Sequence, residues 1–267
     1  MKIALYHRHI DAADSAAYEA LVSALAAHGI ETVKVSDGDS VDGCDYLFSI
    51  GGDGTLLSSV QFVHSSKPEA FPPILGINFG HLGFLTTVGR ENPDALAADL
   101  LAGRFTLEER SLLEMDGNSY ALNEVFIHRG EEASLLRTQV YVDGRHVADY
   151  AGDGVIVATP TGSTAYSLSC GGPILTPDSR CFVITPISAH TLTLRPVIVP
   201  DTVNIELRVE GGSSCTLGVD SHRTLLEGPV AVRLCRAPFK VRLIRMNTQD
   251  FFSAIRDKLM WGTEIRP

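Results

Sequence analysis

The sequence predicts a parallel α/β domain followed by an antiparallel all-β domain, with a final helix returning to the first. Three observations carry this expectation. Strand-like and helix-like segments alternate over residues 1–110. From about Arg104 to residue 248 strand-like segments and turn signals continue without a long helix. The chain then closes on an amphipathic stretch, Thr248 to Trp261, with Thr248 as its expected cap.

Lys2–Tyr6 reads as the first strand, and residues 14–28 carry Ala17, Leu21 and Leu25 at helical spacing before His28-Gly29. Glu31–Val35 alternates as a strand. A second strand-helix unit follows at Asp45–Ile50, and a third is entered through Pro72-Pro73 and Ile74–Ile77. Asn92-Pro93-Asp94 opens a helix with a cap, a proline in the first turn and an acid near its positive end, and Gly103 closes it. The second domain is read from Phe105–Met115, Tyr120–His128, Arg137–Val142 and Val203–Val209, joined by Asp116-Gly117-Asn118 and Asp143-Gly144. The expected boundaries are residues 1–104 for a Rossmann-like nucleotide-binding domain, 105–245 for an antiparallel β-sandwich, and 246–267 for the returning helix.

The chain is organised around residues 49–57, where an apolar strand runs into Gly51-Gly52-Asp53-Gly54-Thr55 and then an amphipathic helix. Ligands on parallel sheets bind at the carboxyl ends of the strands, where this turn lies. Gly51, Gly52 and Gly54 remove side chains that would keep an anion from the backbone, and the amides from Thr55 onward are expected to point at a bound phosphate. A carboxylate beside a phosphate is repulsive unless it has a chemical task, so Asp53 needs one. The plain alternative is a tight turn in which Asp53 caps a helix starting near Thr55. Beyond the next strand, Phe79, Phe84 and Leu85 lie among glycines beside His81; they either cover a flat ligand or plug the top of the core.

Within the β domain one segment breaks pattern. The strand Val155–Ala158 stands between Gly152-Asp153-Gly154 and a loop running from Thr159 to Ile174 that is rich in glycine and hydroxyls and stiffened by Pro160, Tyr166 and Pro173. Rigid polar loops are usually sites, and hydroxyls suit a sugar or nucleotide, although local turns account for some of them.

Composition narrows the function classes. The 267 residues are 45% hydrophobic and 20% charged, as in a soluble globular protein, and 22 Lys and Arg against 32 Asp and Glu leave a formal charge of −10. Such a surface repels nucleic acid and anionic membranes, so any phosphorylated ligand must be held locally. No apolar run reaches membrane-spanning length and the N-terminus reads as a first strand without a signal-peptide pattern, so a cytoplasmic protein is expected. Cys44, Cys170, Cys181, Cys215 and Cys235 are odd in number and never paired at two-residue separation, against a zinc site or a disulfide framework.

Gly51-Gly52-Asp53-Gly54-Thr55, then Asn123-Glu124, then Asp153-Gly154 leading into Thr159-Pro160-Thr161-Gly162-Ser163-Thr164-Ala165-Tyr166-Ser167-Leu168-Ser169 and Gly171-Gly172-Pro173-Ile174, resembles the bacterial NAD kinase family in order and spacing. The likeness spans residue 45 to about 225, and the Phe251-Phe252 helix ending in Leu259-Met260-Trp261-Gly262 adds to it. Gly-Gly-Asp-Gly-Thr alone is shared with diacylglycerol and sphingosine kinases; its combination with the hydroxyl-rich loop is specific.

The resemblance implies transfer of the γ-phosphoryl group of ATP to the 2′-hydroxyl of the adenosine ribose of NAD, giving NADP. Asp53 would orient and deprotonate that hydroxyl, while Gly52, Gly54 and Thr55 and a magnesium ion carried with ATP hold the phosphates; no all-protein metal cage is visible. A carboxylate is a poor base for a ribose hydroxyl in the ground state. Phosphoryl transfer passes through a loose transition state, however, so holding the oxygen in line matters more than basicity. By the same resemblance Asn123 and Glu124 would contact the adenine and ribose, an amide being suited to the N6/N7 edge of adenine. Asp153, Thr161, Thr164, Ala165, Tyr166, Ser167, Leu168 and Ser169 would line the same pocket and His222 would add a contact, with Phe79, read from its own loop, as a further expected ligand contact. Some relatives carry an arginine where this chain has Ala151, and Ser134 stands where relatives have a basic or polar contact. Related tetramers share the pocket between subunits, which implies a homo-oligomer, dimer or tetramer, here too.

Three other readings compete. A lipid or sugar kinase with the same turn would need another acceptor site, and residues 159–174 are too polar for a lipid channel. A non-catalytic nucleotide-binding regulator would have no use for Asp53. A dehydrogenase would show Gly-x-Gly-x-x-Gly after the first strand, with its acid well downstream.

Overall fold

A computed structural model describes residues 1–80, 83–130, 135–191, 193–211, 214–246 and 250–262. The chain divides into two compact units, Met1–Glu109 together with the chain from Val241, and Arg110–Lys240.

In the first unit β1 (Lys2–Tyr6), α1 (Ser15–Ala27), β2 (Glu31–Val35), β3 (Tyr46–Ile50), α2 (Asp53–Val60), β4 (Ile74–Ile77) and α3 (Pro93–Leu101) follow in turn. The strands form a parallel sheet in the order β2-β1-β3-β4. β3 and β4 are almost wholly buried, as strands covered on both faces must be. Ile3, Leu5, Phe48, Ile50, Leu75 and Ile77 meet Tyr18, Leu21 and Leu25 of α1 and Leu96 and Leu100 of α3 in one core. Asn92 caps α3, its Oδ1 accepting the Ala95 N–H at 3.2 Å, as the sequence predicts.

The second unit is built from the part of β5 (Phe105–Met115) from Arg110 onward, β6 (Ser119–Ala121), β7 (Glu124–Arg129), β8 (Leu136–Val142), β9 (Arg145–Gly152), β10 (Gly154–Ala158), a single turn α4 (Tyr166–Ser169), β11 (Cys181–Ile187), β12 (Val197–Pro200), β13 (Ile205–Val209), β14 (Cys215–Val219), β15 (His222–Leu226) and the part of β16 (Val230–Met246) up to Lys240. Its strands pair antiparallel, one sheet running β12-β11-β10-β7-β14-β15 and the other running from β16 through β13 and β8 to β9. Apolar residues of both sheets, among them Val125, Ile127, Val155 and Phe182 from the first and Leu136, Val140, Leu207 and Val232 from the second, share one core, which makes a sandwich. β16 is long enough to contribute its first half here and its end, through Leu243 beside Ile74, to the parallel sheet of the first unit.

Two expectations need correction. The strand read as Tyr120–His128 is two strands, interrupted at Leu122-Asn123. The last helix, α5 (Phe251–Leu259), is capped by Asp250, whose Oδ1 accepts the Ser253 N–H at 2.8 Å. Thr248, the expected cap, lies outside the described residues. All five cysteines are free.

Candidate active site

β3 delivers the chain to Gly51, whose φ of +144° no side-chain-bearing residue adopts readily. A Cβ there would also lie 2.5 Å from Thr55 Oγ1. Gly52 is the extended N-cap of α2, and Asp53 is its first residue, so the helix starts two residues earlier than the turn reading places it. The Thr55 amide is not available to a phosphate as expected: it donates to Gly52 O at 2.9 Å. The amides that helix geometry leaves open are those of Asp53 and Gly54, at the positive end of α2.

Asp53 is held by a loop whose sequence gives little hint of it. Its Oδ1 accepts from Leu85 N at 3.2 Å, Thr86 N at 3.0 Å and Thr86 Oγ1 at 2.9 Å, and its Oδ2 from Phe84 N at 2.8 Å. Among the described residues Oδ2 takes that one bond only, so it is the oxygen with capacity for a further donor. Thr86 Oγ1 in turn accepts the Gly83 N–H at 2.8 Å, and Arg245 donates to Phe84 O at 3.2 Å while paired with Glu108 at 2.8 Å. A Cβ on Gly83 would stand 1.7 Å from Asp53 Oδ1, so only glycine lets the loop approach the carboxylate. Phe79 is 6% exposed, its ring packed within the core of the first unit, and its carbonyl accepts from Arg90. Leu85 is buried likewise, leaving Phe84 the more accessible of the three apolar side chains, and His81 lies outside the described residues. Asn78, whose Nδ2 is 3.8 Å from the position of a Gly52 Cβ, flanks the turn and was not singled out from sequence.

In the second unit Asn123 and Glu124 lie at the head of β7, 8% and 6% exposed. Glu124 Oε2 is buried with no hydrogen-bond partner among the described residues. Burial, and then the charge of Asp220, push the Glu124 carboxyl up to about 8, against the pull of a backbone hydrogen bond from Tyr166. Tyr166 packs edge-on against Phe126, ring centroids 5.5 Å apart, and its hydroxyl feels both Glu124 and Asp153. Asp153 pairs with Arg129, Nε to Oδ1 at 2.6 Å, and that hydrogen bond holds its carboxyl below the usual range. A guanidinium is thus present beside Asp153 although position 151 is alanine. Ala151 lies on β9, its carbonyl accepting the His190 N–H at 2.8 Å, and His222 is exposed at the start of β15. Ser134 lies outside the described residues.

Much of the hydroxyl-rich loop is spent on its own architecture. Thr159 Oγ1 donates to Leu122 O at 2.5 Å, Ser163 Oγ to Pro160 O at 2.7 Å while accepting Leu175 N–H at 2.9 Å, and Thr164 Oγ1 to Thr161 O at 3.3 Å. Ser167, expected in the pocket, is fully buried, its hydroxyl sharing a hydrogen bond of 2.8 Å with that of Thr185 on β11. Thr161 is buried under Arg110, whose Nη1 lies 3.5 Å from its hydroxyl, while Thr164, Ala165, Tyr166 and Leu168 are partly open and Ser169 is exposed. Among the described residues no group of three or more His, Cys, Asp and Glu side chains converges on one point.

Sequence reasoning missed Gly83, Thr86, Arg129, Arg245 and Asp220. Only Asp220 carries a local signal, an acid at the first position of a two-residue hairpin turn where asparagine is usual.

A family model described as the ATP-NAD kinase N-terminal domain matches residues 9–105, and one described as the ATP-NAD kinase C-terminal domain matches residues 122–246. The chain belongs to the NAD kinase family. An NAD kinase of Porphyromonas gingivalis is 42% identical over 228 residues, covering 83% of this chain and 78% of that protein. One of Gemmatimonas aurantiaca is 40% identical over 229 residues, covering 82% and 78%. Among solved structures, an Archaeoglobus fulgidus NAD kinase in complex with ATP superposes with a TM-score of 0.79 at 25% identity, covering 97% of this chain and 98% of that one. Yeast NADH kinase complexed with NADH shares the fold at a TM-score of 0.87 and 23% identity, covering 99% and 89%. No described helix is long and apolar enough to cross a membrane.

Proposed function

We propose that Asp53 serves the phosphoryl transfer of this NAD kinase by holding the adenosine 2′-hydroxyl of NAD through its Oδ2, the oxygen whose acceptor capacity the 84–86 loop leaves open. The chain is an ATP-dependent NAD kinase: it transfers the γ-phosphoryl group of ATP to that hydroxyl and releases NADP. Its family membership favours this over a lipid or sugar kinase sharing the same turn.

The observation that carries the reading of Asp53 is its clamp. Four donors on one carboxylate fix its plane and leave one oxygen for a hydroxyl, the pre-organisation that an in-line displacement requires. The hydroxyl proton passes to Oδ2 as the bond from the ribose oxygen to the γ-phosphorus forms and the bond from that phosphorus to the β–γ bridging oxygen breaks, with ADP as the leaving group. The amides at the start of α2 would meet phosphate oxygens. Magnesium would arrive on the ATP phosphates and supply charge neutralisation there, in keeping with a turn that offers amides and a single acid. Asn123 and Glu124 would recognise the adenosine, Tyr166 and Ala165 would line its ring, and Asp153, held by Arg129, would meet the far part of the dinucleotide. By analogy with the family, the protein would be a cytoplasmic homo-oligomer, dimer or tetramer.

The test is NADP formation with ATP, magnesium and NAD, beside diacylglycerol as an alternative acceptor. Turnover with NAD alone is expected; phosphorylation of the lipid in place of NAD would overturn the assignment.

A further inference from the structure

Asp220 occupies the tip of the β14–β15 hairpin with φ +50° and is 7% exposed. A buried acid in the left-handed region is unfavourable unless its side chain is well bonded. Here it is. Asp220 Oδ2 accepts Leu122 N–H at 2.8 Å, and Oδ1 accepts Asn123 N–H at 2.8 Å and Glu124 N–H at 3.0 Å. Its own amide donates to Glu124 O at 2.9 Å.

These are the residues at which the strand read as Tyr120–His128 breaks. β6 ends at Ala121, β7 begins at Glu124, and the ladder from β14 reaches only Val125. The amides of Leu122, Asn123 and Glu124 need an acceptor that the β14 ladder does not supply, and one carboxylate serves all three. On the carbonyl side, Leu122 O accepts from Thr159 Oγ1 at 2.5 Å and Asn123 O from Thr159 N at 2.8 Å. The backbone that carries Asn123 and Glu124 is therefore fixed before any ligand arrives, while Glu124 Oε2, buried and without a partner among the described residues, is left for one.

We propose that Asp220 is a positioning residue for the acceptor dinucleotide: by gathering the amides of residues 122–124 it sets the directions of Asn123 and Glu124. The inference rests on the reading of Asn123 and Glu124 as the adenosine contacts. An aspartate is needed at the hairpin tip because both its oxygens accept. Asparagine of the same shape would turn an N–H toward at least one of the three amides.

The test is steady-state turnover of Asp220→Asn and Asn123→Ala, with NAD varied at saturating ATP and ATP varied at saturating NAD. Asp220→Asn is expected to raise KM for NAD roughly tenfold, with KM for ATP unchanged and kcat within about threefold. A purely structural role would lower kcat through loss of folded protein and leave KM for NAD as it was, and that result overturns the proposal. An unchanged KM for NAD in Asn123→Ala would remove the underlying reading and the inference with it. A raised KM in Asn123→Ala beside an unchanged one in Asp220→Asn would remove the inference alone. A measurement on the unsubstituted protein covers the case in which Asp220→Asn does not fold. The amides of Leu122, Asn123 and Glu124 should be protected from hydrogen exchange before NAD is added, and protection appearing only with NAD would contradict the proposal.

Discussion

Thr86 Oγ1 donates to Asp53 Oδ1 at 2.9 Å while accepting the Gly83 N–H at 2.8 Å, so one buried hydroxyl ties the loop after β4 to the carboxylate at the start of α2. Thr86→Val keeps the shape and removes both bonds. Because Asp53 retains three backbone donors, the carboxylate should loosen without leaving. Turnover is expected to fall about tenfold with KM for NAD little changed. A kcat equal to that of the parent would show that the hydroxyl has no part in orientation.

Gly83→Ala should be harsher. The added methyl would lie 1.7 Å from Asp53 Oδ1 and 2.2 Å from its Cγ, so the carboxylate must leave its present place or the loop must draw back from it. Turnover should drop by roughly a hundredfold or more, while far-ultraviolet circular dichroism retains the parent spectrum. Near-normal activity would mean that the loop and the carboxylate do not need this proximity.

The pH dependence of stability follows from Glu124. Its folded pKa, about 8, stands above the ordinary 4.5, so the folded chain keeps a proton that the unfolded chain gives up. Its contribution is complete below about pH 4.5 and is lost as pH rises through about 8. Asp220, raised to about 6 from 3.8 by burial, acts in the same sense over a lower window. Glu124→Gln removes the ionisation, so between pH 5 and 9 the parent should lose stability relative to the variant, on the order of a few kcal/mol. Denaturant melts of the two proteins should diverge with rising pH; parallel curves would refute the burial argument.

Ser163 tests whether the hydroxyl-rich loop works as scaffold. Its hydroxyl is fully buried between Pro160 O and Leu175 N. Ser163→Ala should therefore cost roughly 1–3 kcal/mol of stability, yet leave KM for NAD within about threefold. A large change in KM at unchanged stability would return this hydroxyl to the ligand.

The legible parts of the fold were those written locally. Phe105–Met115 matches the strand residue for residue because turn residues bound it on both sides, and the cap at Asn92 needs only its own neighbours. The break at Leu122-Asn123 was not legible, because the acceptor that makes it stands about 97 residues further on. The same holds for the candidate active site. Gly51–Thr55 announced itself, but the donors that hold Asp53 come from 31 to 33 residues downstream, in a loop conspicuous for its aromatics. The burial of Phe79 and Ser167 was not legible for the opposite reason: their residue types suit a ligand, and their packing against the core and against Thr185 depends on distant residues.

Asp53→Asn tests the central claim most directly. The amide keeps the volume, loses the basic oxygen and turns an N–H toward either Phe84 N or the donors at Oδ1. NADP formation should fall by at least about a thousandfold, while calorimetric titration gives an affinity for NAD within a fewfold of the parent. Turnover retained at the parent level, with NAD bound as before, would contradict the account.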